Sequence, residues 1–268
     1  MGTVPRPDGL AQSAFAQSRP ACVPARLDIV AECAEWIVLN KPPLLQVHPS
    51  KPSDAATMWH LLRHLLAFEI ANGGQVSIIN RLDRETSGLV LIAKSKAAAR
   101  HFCMLMERGR IAKQYLALVR GWPAEDRFTV DAPLLRQGIH QASPIYLKQC
   151  VHPAGAPART GFQVERRFAR EPEGRFALVR AFPETGRMHQ IRVHLAHAGH
   201  PVAGDKIYGS SEEHYLTFIR TGWTPELERA LLFRRQALHS AVLEIPDDGL
   251  RWEARLPEDM AGFVPGGD

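Results

Sequence analysis

Apolar positions along the chain follow two periods. LDIVA at 27–31 and WIVLN at 36–40 are short apolar runs separated by a polar turn, the pattern of paired strands. A short run at 76–79, LVLIA at 89–93 and IAKQYLALV at 111–119 read the same way, as do stretches near 162–168, 175–182, 238–245 and 250–256. Between them the period changes. Met58, Leu61, Leu62, Leu65 and Leu66 recur at helical spacing and stop before Asn72-Gly73-Gly74. Ser95 can cap a helix through KAAARHFCMLMER, with Gly109 ending it. A third helix is expected to open near Thr185-Gly186 and end at Gly199, with Met188, Ile191 and Leu195 facing the core. NKPPLLQVHPS, with its three prolines, predicts a rigid extended loop, and the segment at 152–161 predicts a loop rather than a domain boundary. Strands outnumber helices and are interrupted irregularly. This predicts an α+β architecture around a mixed, largely antiparallel sheet.

Composition narrows the picture. With 268 residues, 45% of them hydrophobic and 23% charged, the chain can bury a sizeable core without metal or disulfide staples. Residues 1–25, rich in Pro, Ala, Gln and Ser, read as a flexible N-terminal extension, and residues 26–268 as one folded domain. The formal charge of +5 permits a polyanionic partner without demanding one. Four cysteines at 22, 33, 103 and 150 share no CxxC spacing, and no apolar run suits a secretion signal or a bilayer span. The expectation is a cytoplasmic protein with reduced thiols, no membrane partner and a monomeric state.

Three segments carry candidate chemistry. In NRLDRETSGLVLIAKS, residues 80–95, Asp83 sits in a polar connection between two apolar strands, with Arg81 two residues before it and Arg84 one after. Guanidinium groups nearby favour an ionised carboxylate, suited to attack a carbon or remove a proton. On charge pattern alone, a surface loop with weak ion pairs fits the segment too. In PETGRMHQIRVHLAHAGHPVAGDKIYG, residues 183–209, a helix start would carry Arg187, His189 and Gln190, then Arg192. Arg192 should point partly inward and need an acid: Asp83 is one candidate, Asp205 and Glu184 are others. In IAKQYLALVRG, strand alternation puts Lys113 and Tyr115 on one face, where Tyr115 is either core or a stacking surface for a nucleobase. His189, His194, His197 and His200 offer a rival reading as zinc ligands, although no HExxH pattern or neighbouring cysteine completes a set.

Together these blocks resemble the RluA-type pseudouridine synthases. Residues 80–89 resemble that family's motif around its catalytic aspartate. Lys113 and Tyr115 with the strand after them resemble its K-x-Y strand, residues 184–195 its third block, and Asn40-Lys41-Pro42 with Val47-His48-Pro49 its first. The similarity runs from about residue 26 to about residue 245, with four blocks in order. It implies a pseudouridine synthase fold with a central basic cleft. It further implies Asp83 as the essential aspartate, Tyr115 as the aromatic stacking on the target base and Arg192 as the partner of the aspartate, with Arg187 as its rival. Arg81 would enter the RNA where the uridine leaves, and Arg84, Lys113, Arg187, His189 and Gln190 would contact RNA.

The implied activity is isomerisation of a specific uridine in rRNA or tRNA, with the base flipped out of the stack. Product and substrate are isomers, so no cofactor or metal is expected. Two departures stand out. Asn80 replaces the family's usual His, and Leu44 stands where Gly is frequent. The separate RNA-binding module of some relatives has no room in residues 1–25. A non-catalytic RNA-binding or ribosome-assembly factor on the same scaffold is the alternative from another class.

Overall fold

A computed structural model of the chain describes residues 27–49 and 57–266. The expected flexible extension, residues 1–25, and the change of period at Asp54 lie outside the described residues.

The strands are β1 (Asp28–Glu32), β2 (Trp36–Lys41), β3 (Ser77–Ile78), β4 (Ser87–Ala93), β5 (Ala112–Arg120), β6 (Arg127–Asp131), β7 (Leu134–Arg136), β8 (Gln149–Val151), β9 (Arg159–Arg170), β10 (Gly174–Pro183), β11 (Leu238–Ile245) and β12 (Leu250–Glu253). The helices are α1 (Met58–Leu65), α2 (Ala67–Ala71), α3 (Lys96–Glu107), α4 (Gln137–His140), α5 (Gln190–His197), α6 (Glu213–Thr221), α7 (Pro225–Leu231) and α8 (Glu258–Ala261). One sheet runs β1-β2-β4-β11-β5-β10-β9-β6, with β12 beside β11 and β3 beside β4. Every pairing is antiparallel except β4 with β11, so the α+β class with a mixed, largely antiparallel sheet stands.

The sheet is covered on both faces around β4, which is why residues 89–93 read as a continuous apolar run. Alternation sorts the side chains. Ile37, Leu39, Val90 and Ile92 pack on one face with Met58 and Leu62 of α1. Val38, Leu89 and Leu91 pack on the other with Ala98, Phe102 and Leu105 of α3. Helix α3 begins as its sequence predicts, with the Ser95 hydroxyl accepting from the Ala98 amide at 3.1 Å.

The third predicted helix starts later than expected. It opens at Gln190, not at Thr185-Gly186, and its N-cap His189 takes a left-handed φ of 57°. The Gln190 side chain accounts for the delay. Its carbonyl accepts from the Thr185 hydroxyl at 2.7 Å and the Arg187 amide at 2.9 Å, holding residues 185–189 as a turn. Met188 consequently lies outside the helix and is 50% exposed rather than in the core, while Ile191 and Leu195 are buried as expected. The predicted loop at 152–161 is shorter than expected, because β9 already begins at Arg159 to pair with β6. The first amphipathic helix breaks at Leu66 into α1 and α2.

Two glycines fix close approaches. At Gly88, φ is 110° and an added Cβ would stand 2.2 Å from the Ser240 carbonyl oxygen, so β4 can lie against β11 only without a side chain there. At Gly204, φ is 77° and a Cβ would meet the Arg235 carbonyl oxygen at 2.0 Å.

Candidate active site

The parallel pairing of β4 with β11 brings distant segments into one row. Gly88 stands beside Ser240, Ser240 beside Tyr115 and Tyr115 beside Ala181, across four strands. The polar connection carrying Asp83 leads into β4 at one end of this row. A turn, Thr86 N–H to the Asp83 carbonyl at 3.1 Å, sets the direction of that connection.

Helix α5 supplies the partners. Six consecutive residues, Gln190 to Leu195, are buried, so its polar members must be satisfied inside the protein. Arg192 meets two acids. Its Nη1 donates to Asp83 Oδ2 at 2.8 Å, while its Nε and Nη2 donate to Asp205 Oδ2 and Oδ1 at 2.6 and 2.9 Å. Asp205 is itself held by the amides of Ile207 and Tyr208 at 2.9 and 3.0 Å. Both acids named as possible partners at 83 and 205 are therefore used, whereas Glu184 pairs with Arg159. The Asp205 and Arg192 side chains are closed off from solvent, and Asp83 is about 31% exposed, so its carboxylate is the open end of a buried ion chain.

The electrostatics follow from this arrangement. Burial alone would push the Asp83 carboxyl up, but the Arg192 guanidinium and its hydrogen bond outweigh burial and hold it below the ordinary aspartate range. His189 lies 4.0 Å from Asp83 Oδ2 through Nε2, and its Nδ1 meets the Tyr208 hydroxyl at 2.8 Å. Burial and the Arg192 charge lower its pKa to about 4, so it is a neutral imidazole at neutral pH. Tyr115 is buried, with 8% of its surface open, and burial together with the negative charge of Asp83 raises its phenol to about 12.

The remaining residues singled out in the sequence divide into two groups. Arg81 is exposed and makes no hydrogen bond or ion pair among the described residues. Arg84 is exposed and donates to the Leu44 carbonyl at 3.3 Å, and Arg187 is exposed and donates to the Pro157 carbonyl at 3.1 Å. Lys113 has a sulfur contact to Met106 at 3.9 Å and no carboxylate partner among the described residues, and burial lowers its pKa. Gln190 differs. It is buried, and its amide donates to the Arg159 carbonyl and the Thr160 hydroxyl while its oxygen is taken by residues 185 and 187. Its two donors and two acceptor positions are all taken by protein partners, which hold the turn at 185–189. The four histidines do not converge. His194 bonds Thr160 and the Ala132 carbonyl, His200 faces the Arg120 carbonyl, and no group of three or more His, Cys, Asp or Glu side chains is placed to hold a metal ion among the described residues.

Residues 35–197 match the sequence profile of the family described as RNA pseudouridylate synthase. The chain belongs to that family. It is 34% identical to the ribosomal large subunit pseudouridine synthase D of Haemophilus ducreyi over 249 residues, covering 89% of this chain and 70% of the relative. It is 33% identical to the protein of the same name from Escherichia coli strain K12 over 260 residues, 93% of this chain and 72% of the relative. Among solved structures, human RNA pseudouridylate synthase domain containing 1 superposes with a TM-score of 0.64 at 28% identity, covering 91% of this chain and 86% of that one. Human RNA pseudouridylate synthase domain containing 4 shares the fold, with a TM-score of 0.66 at 23% identity over 87% of this chain and 90% of that one. The synthase is therefore an isomerase.

Several residues of this synthase carry more of the site than sequence reasoning assigned them. Lys41 is fully buried, and its ammonium donates to the carbonyls of Pro42, Leu45 and Arg84 at 2.9, 2.9 and 3.2 Å, tying the proline loop to the Asp83 loop. Burial lowers its pKa to about 7. Lys206 chelates Glu85 at 2.9 Å through both carboxylate oxygens, and the Gln236 side chain reaches Asp83 itself. Lys41 lies in a block that carries the family resemblance and Lys206 in the chemistry-bearing segment 183–209, but nothing in their spacing says that a lysine there is buried.

Proposed function

We propose that this synthase converts a specific uridine of ribosomal or transfer RNA to pseudouridine, and that ionised Asp83 starts the reaction. The names of its curated relatives favour large-subunit ribosomal RNA as the substrate. The observation that carries the reading is the 2.8 Å pair between Asp83 and Arg192, with Arg192 anchored from behind by Asp205. An aspartate so held stays negative across the neutral range, ready to act on the ribose.

The reaction breaks the bond from ribose C1′ to uracil N1, turns the base and joins C1′ to C5. The proton lost from C5 balances the one gained at N1, so the sum is an isomerisation. Asp83 serves this chemistry either by adding to C1′ or by taking the 2′ proton, and both need the carboxylate charged. The uridine must first leave the RNA stack, at a cost of a few kcal/mol. Stacking on Tyr115 and phosphate contacts from Arg81, Arg84, Lys113 and Arg187 offset that cost. His189, neutral and beside the carboxylate, serves as a hydrogen-bonding group rather than a cation.

Mapping pseudouridine by carbodiimide labelling in total RNA, with and without the gene, tests this. One or a few uridines should lose the mark in the deletion and regain it when the gene is restored. An unchanged map would contradict the reading.

A further inference from the structure

We propose that Gln236 is a positioning residue that decides which oxygen of Asp83 meets the substrate. The proposal rests on Asp83 being the reacting carboxylate. Gln236 is buried just before β11, and its Nε2 donates to Asp83 Oδ2 at 3.1 Å and to the Thr86 hydroxyl at 3.0 Å. That same Oδ2 accepts Arg192 Nη1 at 2.8 Å, and His189 Nε2 stands 4.0 Å from it. Among the described residues, no hydrogen bond reaches Oδ1. Two donors from segments far apart in the chain thus converge on one oxygen and leave the other bare.

The amide orientation is dictated by its surroundings. Turned over, Gln236 would aim its own oxygen at a carboxylate, which is repulsive. The torsion that turns a carboxylate is intrinsically broad. Held at Oδ2 by two fixed donors, Asp83 keeps one plane and presents Oδ1 in one direction. A neutral amide does this without adding a second cation, which would quench the basicity of the remaining oxygen.

Gln236 is itself fixed from several sides. Its backbone amide donates to Glu85 Oε2 at 3.2 Å, and Lys206, which chelates Glu85, donates to the Arg234 carbonyl at 2.7 Å. The glycine at 204, against which the Arg235 carbonyl packs, precedes Asp205 directly. Residues 83–86, 204–206 and 234–236 therefore interlock, and the partner of Asp83 and the partner of Arg192 are set by the same contacts.

The test compares wild type with Gln236→Met, which keeps volume and removes the donor, and with Gln236→Glu, which keeps shape and puts an acceptor beside Asp83. Total RNA from cells lacking the gene is the substrate, and carbodiimide labelling is the readout. Thermal midpoints and RNA affinity are measured on the same samples. Gln236→Met is expected to fold and to bind RNA as wild type does, while turnover at saturating enzyme falls about ten- to a hundredfold. The acid side of its pH profile should move upward, because a donor to the ionised form has been removed. Gln236→Glu should lose more turnover than Gln236→Met. A folded Gln236→Met protein with wild-type turnover, or with only its RNA affinity changed, overturns the proposal while leaving Asp83 in its role. An Asp83→Asn control that still turns over would instead remove the reading on which the proposal stands.

Discussion

Arg192 joins two carboxylates, one through a single 2.8 Å bond to Asp83 and one through a two-pronged contact with Asp205. A guanidinium fixes both contacts at once, because its planar fork donates along several set directions. Arg192→Lys keeps the charge but loses the planar fork that fixes both contacts, and it should lower turnover by at least about a hundredfold. The acid left unpaired in the interior should cost about 3 kcal/mol of stability, read by chemical denaturation.

Tyr115 separates stacking from the hydroxyl. Tyr115→Phe keeps the ring and should retain a substantial part of the activity. Tyr115→Ala removes the stacking surface, worth about 1–3 kcal/mol, and should reduce turnover about ten- to a hundredfold. It also opens a cavity in the filled core around Ala117 and Val179, so its melting temperature should fall well below that of Tyr115→Phe. Equal losses in both variants would point to the hydroxyl instead.

Much of the fold and part of the site are legible in the amino-acid pattern alone. The strand at 89–93 stands out because it is buried on both faces and so apolar throughout, while the one at 238–245 is nearly as buried but carries His239, Ser240 and Glu244. That an inward Arg192 needs an acid is legible, but the choice among Asp83, Asp205 and Glu184 is not, because it depends on contacts between segments far apart in the chain. The late start of α5 is not legible, because Thr185-Gly186 looks like a helix opening until Gln190 is seen to claim the backbone there. The role of Gln236 is hidden for a similar reason: the parallel contact of β4 with β11 that brings it to Asp83 is non-local, and a glutamine before an apolar strand has no distinguishing pattern. Both departures from the family find a physical account. Leu44 takes a φ of 67°, the left-handed region where glycine is at ease. Asn80 is buried and brackets β4, donating to the Leu89 carbonyl at 3.0 Å and accepting from the Leu91 amide at 2.8 Å.

That bracket makes its own prediction. Asn80→Ala leaves a buried amide and a buried carbonyl without partners next to the Asp83 connection. It should cost about 2 kcal/mol of stability by urea titration. A neutral result would mean that water replaces the side chain.

Acid should destabilise the protein before it protonates Asp83. His189 and His239 have pKa values lowered to about 4, by burial first and then by the Arg192 and Arg235 charges respectively, with Asp83, Asp205 and Asp259 opposing. Between about pH 6.5 and 4 the unfolded chain binds protons that the folded one refuses, so stability falls as pH falls. The slope should reach up to about 2.5 kcal/mol per pH unit. Replacing His239 by Gln should flatten it, and denaturation curves at several pH values across that window would show this.

The most direct measurement is single-turnover isomerisation by Asp83→Asn, on the RNA whose uridine the deletion map identifies. Asparagine keeps the shape and removes the charge. The predicted result is no detectable pseudouridine with RNA binding largely retained, and turnover near the wild-type rate would contradict it.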